Sequence, residues 1–228
     1  MARLTTAPTT GTGLLAVFCD LDGRWLADFR PWLAEEMFPP RLAIGFRPAG
    51  SFDALPQIAV APGPQTGMPP QAYLTAYVTP ALGDLYGAPY QTLRTVRAPR
   101  DAAFHQRMTN HARYTASWVG PGIEDGAAQS FGPVIAVDRF DVAEADLQRF
   151  AIWIETDYLP ACLHAPGLVR LRRYLAMEGP HKHLMIHEFT DAAALAGEAW
   201  TSLRMNDAWR AATFAPGAPA AYRLVLGA

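Results

Sequence analysis

Cysteine is scarce in this sequence, long apolar runs are missing, and charge of either sign is nowhere gathered into a block. Of 228 residues only Cys19 and Cys162 are cysteines. They lie in apolar surroundings without CxxC spacing, which argues against a disulfide framework and a zinc knuckle and reads as two buried thiols. No stretch of 18 apolar residues occurs, and the N-terminal MARLTTAPTTGTGLLAVF lacks a long apolar segment followed by a small-residue cleavage site. The chain therefore reads as soluble and cytoplasmic, without a membrane partner. Net charge is −2, and the 19 Lys and Arg are scattered, so no phosphate-backbone footprint exists and nucleic acid is not an expected partner. What is present is apolar residues: they make up 50% of the chain, ample for a real core.

The chain also repeats itself. At an offset of 121, residues 14 to 45 match 135 to 166, pairing Asp20 with Asp141, Phe29 with Phe150, Trp32 with Trp153 and Pro39 with Pro160. At an offset of 110, residues 73 to 94 match 183 to 204, pairing Leu74 with Leu184, Leu85 with Leu195, Tyr90 with Trp200 and Arg94 with Arg204. The offset falls by 11 because the first half carries an extra stretch, ALPQIAVAPGPQTGMPP at 54 to 70, whose Pro and Gly content predicts a loop or lid. Gly-rich GPGIEDGAAQSFG, near 121–132, predicts a linker between units 1–120 and 133–228.

Each half reads as strand, helix, strand, strand, helix, strand, the ferredoxin-like order. In the second half, VIAVDRF is β-branched, and Asp141 followed by Glu144 predicts a capping box opening the helix. Pro31 in the first half predicts a late start or kink there. The stretch FAIWIETDYLPACLHAPGLVRLRRYLA, residues 150 to 176, resembles the signature of the EthD-like and NIPSNAP-like families, and Trp32, Glu36 and Pro39 repeat part of it. That resemblance implies an α+β fold in which two tandem ferredoxin-like (βαββαβ) units form a pseudo-dimeric α+β barrel, here supplied by one chain. Met37 and Tyr158 stand where the signature usually places a His, so any acid/base role of that His does not carry over.

Side chains alternate along strands. Taking Leu184 and Ile186 as partners of the covering helices puts His183, Met185 and His187 inside the barrel. The repeat then puts Tyr73, Thr75 and Tyr77 inside as well. Buried polar groups cost free energy unless partnered, so a face this polar points to a small organic ligand. His187 and His183 are the candidate acid/base residues, and Tyr77 and Tyr73 the candidate donors to a developing enolate or phenolate. Thr75, Met185, Arg172, Tyr174 and His111 are candidate ligand contacts; Arg172 can fix a carboxylate or enolate if its strand face is interior, although a solvated edge of cationic side chains is the preferred reading of that strand. His105 and His164 read as ordinary loop or helix-end histidines, Trp32 and Trp153 as packing, and Glu36 and Asp157 as loop anchors.

The resulting expectation is an isomerase, cyclase, decarboxylase or dehydratase type of enzyme acting on a partly aromatic or polyketide-like molecule without a cofactor, as monomer or homodimer. No metal site is expected, because His183 and His187 on a strand lie about 13 Å apart. Two alternatives accompany it: a haem-binding barrel similar in architecture to chlorite dismutase-like proteins, held by a single imidazole, and a non-catalytic ligand-binding or stress-associated module.

Overall fold

A computed structural model describes residues 2–61, 67–126 and 129–228. Its strands are β1 (Arg3–Thr5), β2 (Gly13–Asp20), β3 (Ala49–Ala54), β4 (Tyr73–Thr79), β5 (Thr109–Trp118), β6 (Gly122–Glu124), β7 (Val134–Val142), β8 (Leu168–Glu178), β9 (His183–Phe189), β10 (Ala212–Phe214) and β11 (Ala220–Gly227). Helices α1 (Leu26–Trp32), α2 (Phe38–Ala43), α3 (Ala88–Thr95) and α4 (Pro99–Arg107) belong to the first half. Helices α5 (Glu144–Trp153), α6 (Leu159–Cys162), α7 (Ala192–Ala196) and α8 (Glu198–Arg204) belong to the second.

Eight strands close into an antiparallel barrel in the order β8-β5-β2-β4-β3-β11-β7-β9 and back to β8. Each half contributes four neighbours in the ferredoxin-like order, and the halves join where β3 meets β11 and where β5 meets β8. Closure removes the open edges that each four-stranded sheet would otherwise present. The expected α+β pseudo-dimeric barrel is therefore the fold.

The duplication holds to the residue. Strands β4 and β9 span the same repeat positions, and Val17 opposite Thr75 in the first half corresponds to Asp138 opposite Met185 in the second. Asp20 accepts the Ala72 N–H at 2.7 Å, and its counterpart Asp141 accepts the Lys182 N–H at 2.7 Å. Both long helices widen at the same place. The Phe38 N–H bonds the Leu33 carbonyl and the Leu159 N–H bonds the Ile154 carbonyl, five residues back in each case. Pro39 and Pro160 follow directly; a proline ring clashes with the carbonyl four residues before it, and a wider turn relieves that clash.

Two local expectations change. Asp141 does not cap α5, because β7 runs on through Val142, held by β10, and the helix begins at Glu144 behind Ala143. The 121–132 stretch contributes β6, which pairs with β1 and β8. In the first half the α-helix starts at Leu26, three repeat positions later than α5, with Pro31 inside it.

Three apolar clusters make up the core. One fills the barrel with side chains from all eight strands, among them Leu14, Leu74, Val78, Ile135, Leu184, Ile186 and Tyr222. The other two lie between the sheet and the helices, one per half. This reverses the expected strand faces. Leu184 and Ile186 point into the barrel, while His183, Met185 and His187, with Tyr73, Thr75 and Tyr77, face the helices. The barrel interior takes most of the purely apolar side chains, and buried charges on its faces are paired, Arg170 with Glu188 and Arg172 with Glu124. The helix layer has open edges and accommodates amphipathic ones.

Candidate functional site

The first half holds a chamber of about 240 Å³ between the outer face of β2, β4 and β5 and its covering helices. Leu15, Val17, Leu33, Met37 and Met108 give it apolar walls, and Trp32, Tyr77 and Tyr90 give it aromatic ones. Arg41, Arg94, Arg97, Arg113, His105 and His111 supply its polar groups, and no Asp or Glu is among the described residues that line it. Strand alternation brings in Thr75 with Tyr77 and His111 with Arg113. The widened turn and α2 bring in Arg41, whose Nη1 donates to the Met37 carbonyl at 2.9 Å.

The arginines are unevenly satisfied. Arg113 pairs with Glu178 outside the lining, and Arg97 Nη1 stands 4.0 Å from Asp101. Arg94 has a single side-chain contact shown, Nη1 to Gln91 Oε1 at 3.4 Å. Trp32 Nε1, Arg41 Nε and the Tyr77 hydroxyl, all on lining residues, are buried without a hydrogen-bond partner. Each is a donor, and an orphaned buried donor is a place where an acceptor is missing. Burial raises the Tyr77 hydroxyl well above its ordinary range, so it stays a neutral donor. His111 sits at the rim; crowding of its ring, then His105 and Arg113, lower its pKa, which keeps the imidazole neutral near pH 7.

The equivalent chamber of the second half is filled. His187 Nε2 lies 2.9 Å from the Tyr158 hydroxyl, which receives Arg204 Nη1 at 3.1 Å. Arg204 Nη2 donates to Asp138 Oδ1, linking four side chains in a row; Asp138 Oδ2 and His187 Nδ1, 3.6 Å apart, are buried without a hydrogen bond between them. Trp200 and Trp209 pack around it, the latter with its ring centroid 4.1 Å from the Arg204 guanidinium carbon. From the inserted stretch, Leu55 and Val60 join this cluster, and the Ala61 carbonyl accepts from Arg204 Nε at 2.7 Å. The expected loop thus covers the second half rather than the first; its residues 62–66 lie outside the described set. Burial, then Arg204, depress His187 far below its ordinary pKa, and burial raises Asp138 and Tyr158.

The residues singled out from sequence do not form one site. Thr75, Tyr77 and His111 line the first chamber. Tyr73 packs against Phe29 beside it, with ring centroids 5.6 Å apart. Met185 and His187 belong to the filled second layer, and His183 stacks on Phe140 at 5.2 Å. Arg172 and Tyr174 face the barrel side of β8, but the carboxylate Arg172 holds is the protein's own Glu124, at 2.9 Å. His187 and His183 therefore cannot act together with Tyr77 and Tyr73, since the barrel wall separates the two layers. Trp32 and His105, which read as ordinary from sequence, line the chamber, as do Tyr90 and four arginines that sequence reasoning missed. One signal for Arg94 was available: it matches Arg204 in the repeat, while Val17 replaces Asp138.

No protein-family model matches the sequence, and no curated protein matches it. Solved structures share the fold over almost the whole chain. An anthrone oxidase-like protein matches with TM-score 0.57 and 9% identity, covering 99% of this chain and 96% of that one. Chlorite dismutase from Candidatus Nitrospira defluvii, in complex with imidazole, matches with TM-score 0.57 and 12% identity, covering 95% and 92%. A heme-binding protein from Thermus thermophilus matches with TM-score 0.56 and 10% identity, covering 99% and 94%. All three share the fold of this chain, and none is described as EthD-like or NIPSNAP-like.

These neighbours overturn the expectation of a protein without a cofactor, because a heme-binding protein stands among the chains of this fold, beside chlorite dismutases. The second layer does not fit a haem. His187 is fully buried, its Nε2 is taken by Tyr158, and the surrounding space is closed by Trp200 and Trp209. The first chamber offers an imidazole, His111, and arginines suited to carboxylates, but its 240 Å³ lies below the range of about 300–1,000 Å³ typical of sites for drug-sized ligands. Among the described residues no group of three or more His, Cys, Asp or Glu is placed to hold a metal ion, and no helix is long and apolar enough to cross a membrane.

Proposed function

We propose that the protein binds a small planar organic anion in the first-half chamber and acts on it by proton transfer. One observation carries this reading: four arginines and no carboxylate line an otherwise apolar and aromatic cavity. Such a wall recognises a carboxylate, phenolate or enolate on an aromatic or polyketide-like body, and the description of the anthrone oxidase-like neighbour supports the aromatic part. His111 is the base, neutral near pH 7, and the Tyr77 hydroxyl donates to the oxygen on which charge develops. A base and a donor set around a bound molecule suit isomerisation, cyclisation, decarboxylation or dehydration.

Native mass spectrometry of the purified protein, followed by melting curves against aromatic acids, tests binding. An adduct or a rise in melting temperature that disappears in the cavity-filling Val17→Phe variant is expected. If no acid of any size binds, the reading is wrong. Once a substrate is found, His111→Gln should cut turnover by about a hundredfold with binding retained.

A second reading is haem in the same chamber, with α3 and α4 displaced outward. Its specific support is His111 at the rim of an arginine-rich pocket, together with the heme-binding neighbours. Added haemin would then give a Soret band that shifts in His111→Ala; free-haemin spectra in both proteins would eliminate it.

A further inference from the structure

Resting on the proposed chamber, we infer that its ligand is specifically a carboxylate, held by Arg94, and that Asp138 of the other half is the internal likeness of that ligand.

The duplication supplies the argument. Arg94 on α3 and Arg204 on α8 share one repeat position and sit against equivalent strands and equivalent widened turns. Arg204 is fully buried and satisfied on each side: Nη2 on Asp138 Oδ1, Nη1 on the Tyr158 hydroxyl at 3.1 Å, Nε on the Ala61 carbonyl at 2.7 Å. In the first half the place of Asp138 is taken by Val17 and that of Tyr158 by Met37, both apolar and both lining the chamber. Tyr90 stands in place of Trp200, which leaves room where the second half is packed solid. Arg94 is half-buried where its twin is fully buried, and it borders an open chamber whose lining has Val17 and Met37 at the places of the twin's carboxylate and hydroxyl. One fold stabilises the same arginine twice. In one half the chain supplies the anion, and in the other an external molecule takes the place of the missing Asp side chain while its body fills the gap that Trp200 fills in the twin. A guanidinium matches the planar two-oxygen acceptor of a carboxylate, and a neutral amide of the same shape lacks the charge.

The test uses benzoate, 2-naphthoate and anthracene-2-carboxylate against their primary amides, with binding read from Trp fluorescence and melting temperature. At least one acid is expected to bind at least tenfold more tightly than its amide. Arg94→Gln should remove that preference, bringing the acid down to the affinity of its amide in the same variant. Val17→Asp, which copies the second half, should abolish acid binding while the fold is kept; if this variant does not fold, the Arg94→Gln comparison decides alone. Equal binding of acid and amide, or wild-type acid binding by Arg94→Gln, overturns the carboxylate inference and leaves the chamber intact as a ligand site. Absence of binding by every acid and amide overturns both.

Discussion

Arg94 and Arg204 stand at one position of the repeat, and their surroundings differ in nearly every respect that matters. Arg204 lies with Asp138, Tyr158 and His187 in a layer closed by Trp200, Trp209 and the inserted stretch. Arg94 borders an open chamber with Val17 and Met37 at the corresponding places. A network in which the chain supplies the arginine's own acceptors fixes structure, whereas the same scaffold with that acid and hydroxyl absent leaves cationic groups for something else. One repeated scaffold thus carries both arrangements: a filled layer in the second half and a cavity in the first.

The sharpest way to break this contrast is Asp138→Ala. It strands a fully buried guanidinium and should cost about 3–5 kcal/mol in chemical denaturation, while Val17→Ala, the equivalent change in the other half, should cost under about 1.5 kcal/mol. Equal costs would refute the claimed difference between filled and open layers. Next in size is Tyr158→Phe, which removes the hydroxyl joining His187 to Arg204 and should cost about 1–3 kcal/mol.

A pH effect follows from His187. Its folded pKa is depressed by burial and by Arg204, so only the unfolded chain takes up this proton as pH falls below about 6.5. Stability contributed by the neutral folded form is full above that pH and declines below it, by up to about 1.4 kcal/mol per pH unit. Denaturation at pH 7.5, 6.5 and 5.5 should show a decline that is shallower in His187→Gln than in the parent. Smallest of all should be Tyr77→Phe, within about 0.5 kcal/mol of the parent or slightly stabilising, because its buried hydroxyl has no partner to lose. A loss as large as that of Tyr158→Phe would mean that the two hydroxyls are equivalent after all.

The repeat carried the fold. Matched Asp20 and Asp141, Trp32 and Trp153, and Pro39 and Pro160 mark equivalent strand ends, helix faces and widened turns, and from them the element order of both halves can be read. The site was legible in pieces only. Alternation groups Tyr73, Thr75 and Tyr77 correctly as one face and His183, Met185 and His187 as another, but it has two mirror solutions, and choosing the helices as partners of Leu184 and Ile186 selected the wrong one. Thr75, Tyr77 and His111 fell in the chamber even so. Arg172, read as a solvated edge or as a contact for a ligand's carboxylate, is instead fully buried on the protein's own Glu124, which arrives on β6 from the presumed linker.

From the sequence alone came the duplication, the ferredoxin-like units and the list of polar residues sharing a strand face, because these depend on local periodicity and on identity at fixed offsets. Closure of the barrel alone decided which face is dry, which arginine meets an acid, and which of two equivalent layers stays open. Those outcomes depend on volumes and charges converging from residues far apart in the chain, and no local pattern records them.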